Sequence, residues 1–397
     1  MRTDRRAAYP CPFFAAMAAT LLLFFSFQAL FPILPLYIVL IGGSSADNGL
    51  ATWVFALAAL LMRPLAGSLA DRWGRKPVLV VGAVLFGSGP LLHTVASSVP
   101  LLLVVRAIHG VGMAFFSTAY QAFIADLLPP DRYGEGLGLA NVASTIPMVV
   151  APLFGEWMVR GFDFRASFAA FSAVGGVGML VTLALPGRGH GGHTSTSQVH
   201  SEQAGLREVL RQPGMRAGAL GMALLGLPFG AFLVFLPLLA DARGLGGTGL
   251  IFAAYALVTS LMQPAGGRAA DRWGIRRTVL VGLALAGLAM GGLAAVTGRW
   301  ALVGLAMLFG AGAGAAQAGL SACVQGSADA ALRGSAAAVQ YTSFDSMVGF
   351  GSLGLGFLAA AAGYGAMYAA VSGITLVGWL AMRGVTLEAC EIRQLHK

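Results

Sequence analysis

Charge is scarce in this sequence. Of 397 residues only 10% are Asp, Glu, Lys or Arg, against about 25% in an ordinary soluble protein. With 57% of the residues hydrophobic, a soluble domain of this length could not hide its apolar surface. The solvent has to be lipid. Cysteine is scarce as well: Cys11, Cys323 and Cys390 form no CxxC pair and no even disulfide framework, so they carry little redox information. There is no phosphate-binding Gly-Lys-Ser/Thr loop, which counts against an ATP-driven pump. No Ser/His/Asp or HExxH constellation is present, which counts against an enzyme working within the membrane. Nothing calls for a cofactor or a resident metal. The run "GHGGH", with His190 and His193 and then His200 beyond it, reads as flexible linker in preference to a metal site.

What is present is apolar length. Mean hydropathy is +0.78, and Gly, at 56 residues, is about twice its usual share. No charge occurs between Arg6 and Asp47, too long a run for a cleaved signal peptide, so a retained first helix is expected. Charges and turn residues divide the chain into stretches of about 20 residues, the length that crosses a bilayer. The expected helices are 13–40, 49–68, 77–97, 100–125, 137–158 and 166–186, then 215–240, 249–268, 278–297, 301–325, 336–358 and 364–384. The two sets define halves 1–186 and 215–397, joined by a Gly/His/Ser-rich linker at 187–214. Twelve crossings put both termini on one side. That side holds nineteen of the 25 Lys and Arg, and four lie opposite. The excess of basic residues makes it the cytoplasmic side. The net charge of +9 therefore sets topology and does not indicate nucleic acid.

The chain also repeats itself. "GSLADRWGRK" at 67–76 returns as "GRAADRWGIRR" at 267–277, and Leu61, Met62, Pro64, Gly110, Gly112 and Gly134 all recur 200 residues later. Two parallel six-helix halves, with this loop between the second and third helix of each, resemble the major facilitator superfamily. The superfamily's loop pattern is Gly-x-x-x-Asp-Arg/Lys-x-Gly-Arg-Arg/Lys. It is complete at Gly67, Asp71, Arg72, Gly74, Arg75 and Lys76, and nearly so at Gly267, Asp271, Arg272 and Gly274, where Ile275 stands in place of Arg. The resemblance covers essentially the whole chain. It implies an all-α integral membrane protein of twelve helices in two pseudo-symmetric bundles.

Local chemistry agrees with a conformational latch. Gly67 and Gly267 are expected to allow close backbone approach, and Gly74 and Gly274 a tight turn. The resemblance implies that Asp71 meets the N-terminus of the eleventh helix, and that Arg75 pairs with an acid ending helix four, where Asp126 stands. Asp71, Arg72, Arg75, Asp126, Asp271 and Arg272 would then hold a two-state rocker without touching substrate.

Helix four reads "RAIHGVGMAFFSTAYQ" at 106–121. An Arg in lipid is costly and faces a cavity or a partner. The matching position in the second half is Ala306, so Arg106 is read as a functional charge, against the alternative of a structural ion pair. His109 lies on the same polar stripe, equally well read as packed or as facing a ligand. Helix five keeps Gly138, Pro152 and Gly155 of the superfamily's antiporter pattern, but has Pro147, Ala151 and Glu156 where glycine is expected. Antiport is modestly favoured. Gln28, His109, Asn141, Tyr255, Gln317 and Tyr341 are the candidate cavity residues, and Asp345, Arg106 and Glu156 the candidates for proton coupling. Asp345 is the carboxylate nearest the middle of a span.

The expected protein is a monomeric, proton-coupled exporter in the bacterial-type inner (plasma) membrane, resembling the superfamily's drug and sugar efflux branch. Its cargo would be a small amphiphilic or zwitterionic molecule: a drug-like compound, a sugar derivative or an opine-type metallophore. Helix one lacks the acid that many multidrug antiporters carry, which counts against a broad cationic range. The alternative is a proton-coupled importer.

Overall fold

The computed structural model describes residues 9–128, 133–187, 212–327 and 333–384. Among these residues the regular structure is helical throughout: α1 (Cys11–Gln28), α2 (Leu34–Leu40), α3 (Ser45–Trp73), α4 (Arg75–Gly87), α5 (Gly89–Val95), α6 (Val99–Leu127), α7 (Tyr133–Gly161), α8 (Phe164–Ala184), α9 (Pro213–Ala242), α10 (Gly249–Trp273), α11 (Ile275–Ala295), α12 (Arg299–Ser327) and α13 (Arg333–Gly384). Eleven stretches of the described residues are long and apolar enough to cross a membrane. The last of them, Ala338–Arg383, runs through Gly363 at φ 80°, a conformation that breaks the helix and divides the stretch into two crossings. The histidines of the linker lie outside the described residues.

Two expected helices are interrupted, both at proline. The first crossing stops at Gln28 and resumes as α2 at Leu34. Pro32 contributes no N–H and disfavours helical geometry at the residue before it. The third crossing is cut at Ser88 into α4 and α5, because Pro90 cannot donate to the carbonyl four residues back. Its counterpart 200 residues on, Met290, sits inside the continuous α11.

The chain forms two compact units, Met1–Leu30 with Ala58–Gly192, and Phe31–Leu57 with His193–Lys397. The stretch 31–57 thus clusters with the second unit, although it lies within the first sequence half. In the first unit α1 packs on α7 and α8, α4 on α6, and α8 on α4 and α5. In the second, α9 packs on α13, α10 on α12, and α11 on α12 and α13.

Glycine explains the closest crossings. A Cβ on Gly82 of α4 would lie 2.2 Å from the Phe116 nitrogen of α6, and one on Gly112 would lie 2.4 Å from the Phe86 nitrogen. The second unit repeats this: a Cβ on Gly282 would lie 2.6 Å from the Ala316 nitrogen, and one on Gly312 would lie 2.7 Å from the Ala286 nitrogen. Small residues bring backbones together where lipid supplies no hydrophobic drive between helices. The identical pairing also fixes the offset of 200 as a structural one.

Candidate functional site

The two loop motifs are built alike and wired differently. Gly74 and Gly274 both precede a helix at φ 90°, a region that favours glycine. Arg72 and Arg272 lie in the last turns of α3 and α10, where a cation complements the helix dipole. In the first unit the Arg75 guanidinium donates to the Asp71 carboxylate, and its Nε donates to Asp126 Oδ2 at 3.4 Å. All three side chains keep between 30% and 53% of their surface exposed. In the second unit Ile275 is buried, and glycine stands at 326 where an acid would have to be. Both partners of the pair are therefore replaced together. There Arg276 instead donates to the Arg383 carbonyl at 2.6 Å, tying off the end of α13. The close approach expected at the motif glycines is not found. A Cβ on Gly67 would meet Thr118 Cγ2 at 4.0 Å, and one on Gly267 would meet nothing within 4 Å. This is ordinary packing or open space.

Arg106 sits seven residues into α6, about 10 Å from its start, and is buried, with 6% exposure. His109, one turn on, is fully buried, with Phe27 and Phe86 around its ring at centroid distances of 5.4 and 5.1 Å. A third titratable residue, which the sequence reading passed over, completes the group. His93 of α5 is also fully buried, and its ring centre is 5.9 Å from that of His109. The signal for it was available in the repeat, because the counterpart of His93 is Leu293.

Of the other candidates in the first unit, Gln28 links two helices, while the bonds at Asn141 and the Glu156–Arg160 pair lie within α7. Gln28 is buried and donates through Nε2 to the Ser144 carbonyl of α7 at 3.1 Å. Asn141 is exposed, and its carbonyl accepts from the Ser144 and Thr145 hydroxyls. Glu156 pairs with Arg160 one turn away at 2.5 Å.

In the second unit Tyr255 is 3% exposed and stacks on Phe309 at 5.3 Å, with Phe232 at 4.8 Å. Gln317 accepts from Gln263 Nε2 at 3.0 Å. Tyr341 is 46% exposed. Asp345, one turn further along α13, is half-buried and acts electrostatically on Tyr341. It lies twelve residues past the start of α13 and eighteen before Gly363, close to the centre of that crossing. Gln263, Gln317, Tyr341 and Asp345 all retain some free surface. Gln28, His109 and Tyr255 are enclosed within their own units.

Apolar crossings in a repeated bundle, with a charged loop in each repeat, define a multi-pass membrane transporter and not an enzyme. The chain belongs to the Major Facilitator Superfamily, whose model matches residues 16–249 and 220–388. It is similar to the quinolone resistance protein NorA of Staphylococcus aureus, at 25% identity over 41% of this chain and 42% of that one. It is also similar to multidrug resistance protein 2 of Bacillus subtilis, at 26% identity over 38% of each chain. The matched stretch spans about two fifths of these relatives. Among solved structures, the peptide transporter POT aligns with a TM-score of 0.80 at 15% identity, over 96% of this chain and 95% of that one. The nucleoside transporter NupG aligns with a TM-score of 0.78 at 15% identity, over 94% and 99%. These likenesses establish the fold.

Proposed function

We propose that the protein is a proton-coupled exporter that carries a small amphiphilic or zwitterionic molecule across the plasma membrane by alternating access. The observation that carries this reading is Asp345, a half-buried carboxylate near the centre of its crossing. A carboxyl group's affinity for a proton follows its surroundings, rising with burial and falling beside a cation. A group that moves between such surroundings loads and releases a proton as the transporter rocks. The exposed Tyr341 beside it and the Gln263–Gln317 pair would supply a few polar anchors in a mostly apolar site. Arg106 would be the cation in the other half, with Glu156 as second carrier. Asp71, Arg75 and Asp126 would act as the latch of the closed cytoplasmic side, both termini would be cytoplasmic, and the monomer would be the working unit.

Two relatives named for quinolone and multidrug resistance favour export, and a quinolone is the first cargo to try. In everted vesicles, quinolone uptake should be accompanied by proton movement the other way. Asp345→Asn should bind the quinolone and lose gradient-driven transport by about tenfold or more, the effect of roughly 1.4 kcal/mol, while keeping exchange. A variant that still concentrates quinolone with the wild-type pH dependence would remove Asp345 from the mechanism. Proton-driven uptake of cargo by intact cells would replace export with import.

A further inference from the structure

The three buried titratable residues of the first unit, His93, Arg106 and His109, have counterparts in the second unit that are all apolar. These are Leu293, Ala306 and Phe309, each fully buried. The two units share the glycine crossings that frame this region, so the fold itself is content with Leu, Ala and Phe there. Burying polar and charged side chains in their place is costly in a lipid-embedded bundle. Packing therefore does not explain them.

The backbone is adapted to hold them. Two carbonyls beside the break at Pro90, a break absent from α11, act on the histidines. Gly89 O accepts from His93 Nδ1 at 2.6 Å, and the Phe86 carbonyl, four residues before Pro90, acts on the His109 ring. Gly89 also makes the room: a Cβ there would lie 2.5 Å from His109 Cδ2, and the second unit, with its Phe309, has Ala289 at that place. A carbonyl can only accept, so the hydrogen of neutral His93 is on Nδ1. Its Nε2 is then a lone pair, fully buried and without a hydrogen-bond partner among the described residues. A buried acceptor that no protein group satisfies is a place where a proton, or a water that carries one, can go.

We propose that His93 Nε2 is a proton-accepting site of the transport cycle, with His109 as its neighbour in the relay and Arg106 as the charge whose position answers to it. This deepens the proton-coupled reading given above and rests on it. Among the described residues Arg106 acts on His93, and Arg106 and His93 act on His109. The faces turned to the pair by α1, α4 and α8 are Phe27, Phe86 and Phe168. The charged residues at the start of α8, its N-cap Asp163 and Arg165, are exposed. His93 is two residues from the end of α5, beside the loop 96–98. With the termini cytoplasmic this is the outer end, the side from which an antiporter takes up its proton.

The second unit supplies the test variants. His93→Leu and His109→Phe, alone and combined, install the side chains that fill the same places there, so loss of folding is not the expected failure. In proteoliposomes with a fluorescent quinolone as probe, His93→Leu should keep quinolone binding and exchange. It should lose about tenfold or more of the proton-driven rate and show a flattened pH profile. The full-length protein with ¹⁵N-labelled histidine, in bilayers, gives a readout that needs no cargo. The signal missing from His93→Gln should show the Nδ1–H tautomer and become doubly protonated somewhere between about pH 5 and pH 8. A double variant with wild-type proton flux and pH profile, or a His93 that stays neutral throughout that range, would overturn the proposal. If the wild-type protein moves quinolone without any proton flux, the antiport reading itself falls, and the proposal with it.

Discussion

At the scale of single residues, the loop pair around Arg75 sets energetics against function. Its three side chains are partly solvent-exposed, and ion pairs of that kind contribute about 0–1 kcal/mol to stability. A contribution so small does not account for a matched Arg and Asp that the second unit does without. Arg75→Ala should therefore barely move the thermal unfolding midpoint in detergent, yet lower transport several-fold. Asp71→Asn should likewise insert normally and lose most transport. Arg75→Lys is expected to recover only part of the activity, because a point ammonium cannot fork between two carboxylates as a guanidinium does. Wild-type transport by Arg75→Ala would reduce the pair to a surface ornament. The Arg75–Asp126 contact was legible because the loop motif names Arg75 and the family resemblance implies an acid ending helix four, where Asp126 stands. His93 was not legible on its own helix, since one titratable residue in "GPLLHTV" makes no stripe. Only the comparison with Leu293, together with the fold that brings α5 to α6, shows that it is out of place.

At the scale of elements, the sequence announces spans through hydropathy and breaks through proline, but it does not announce neighbours. The breaks at Pro32 and Pro90 follow from the missing N–H, whereas the choice of α6 as partner for α4 is visible only as recurring glycines. Those glycines do not all have the same use. At Gly82 an added Cβ would meet a backbone nitrogen at 2.2 Å, an atom that cannot swing aside, so α4 and α6 would have to separate. Gly82→Val should cost about 1–3 kcal/mol, the usual penalty of overpacking. It should appear as a lower unfolding midpoint and less monodisperse protein after detergent extraction. Gly67→Ala has room, with its nearest neighbour at 4.0 Å, and should leave the midpoint unchanged. Equal stability losses for the two variants would mean that close packing does not decide which glycine matters. The tryptophans of the two "DRWG" loops belong to this scale as well. Trp73 and Trp273 end α3 and α10 and are 59% and 68% exposed, as amphipathic rings at a membrane surface should be.

At the scale of the whole molecule, the halves readable in the sequence and the compact units differ in one place, and the difference has a mechanical consequence. Hydropathy reports which residues can face lipid and says nothing about which helix lies on the other side, so the membership of 31–57 could not be read. α3 is one continuous helix, yet its first part, up to Leu57, packs within the second unit. The contact is tight. A Cβ on Gly49 would lie 2.2 Å from the Ser352 carbonyl oxygen, one on Gly356 would lie 2.8 Å from the Ser45 carbonyl oxygen, and the Ser45 hydroxyl meets that of Tyr364 at 2.8 Å. A transporter that alternates between two states must make and release some such contact, and a side chain wedged into it should bias the equilibrium towards release. Gly49→Val is expected to insert normally, because the lipid-facing residues are untouched, and to populate the separated state more. Ser352 is fully buried, so a Ser352→Cys reporter reads the change directly. In the Gly49→Val background its labelling by a membrane-impermeant maleimide should quicken by about tenfold, which corresponds to a shift of roughly 1.4 kcal/mol. Transport should slow in parallel, since a state that forms less readily limits the cycle. Unchanged labelling and unchanged transport would show that the α3–α13 packing is a fixed part of the second unit and takes no part in the alternation.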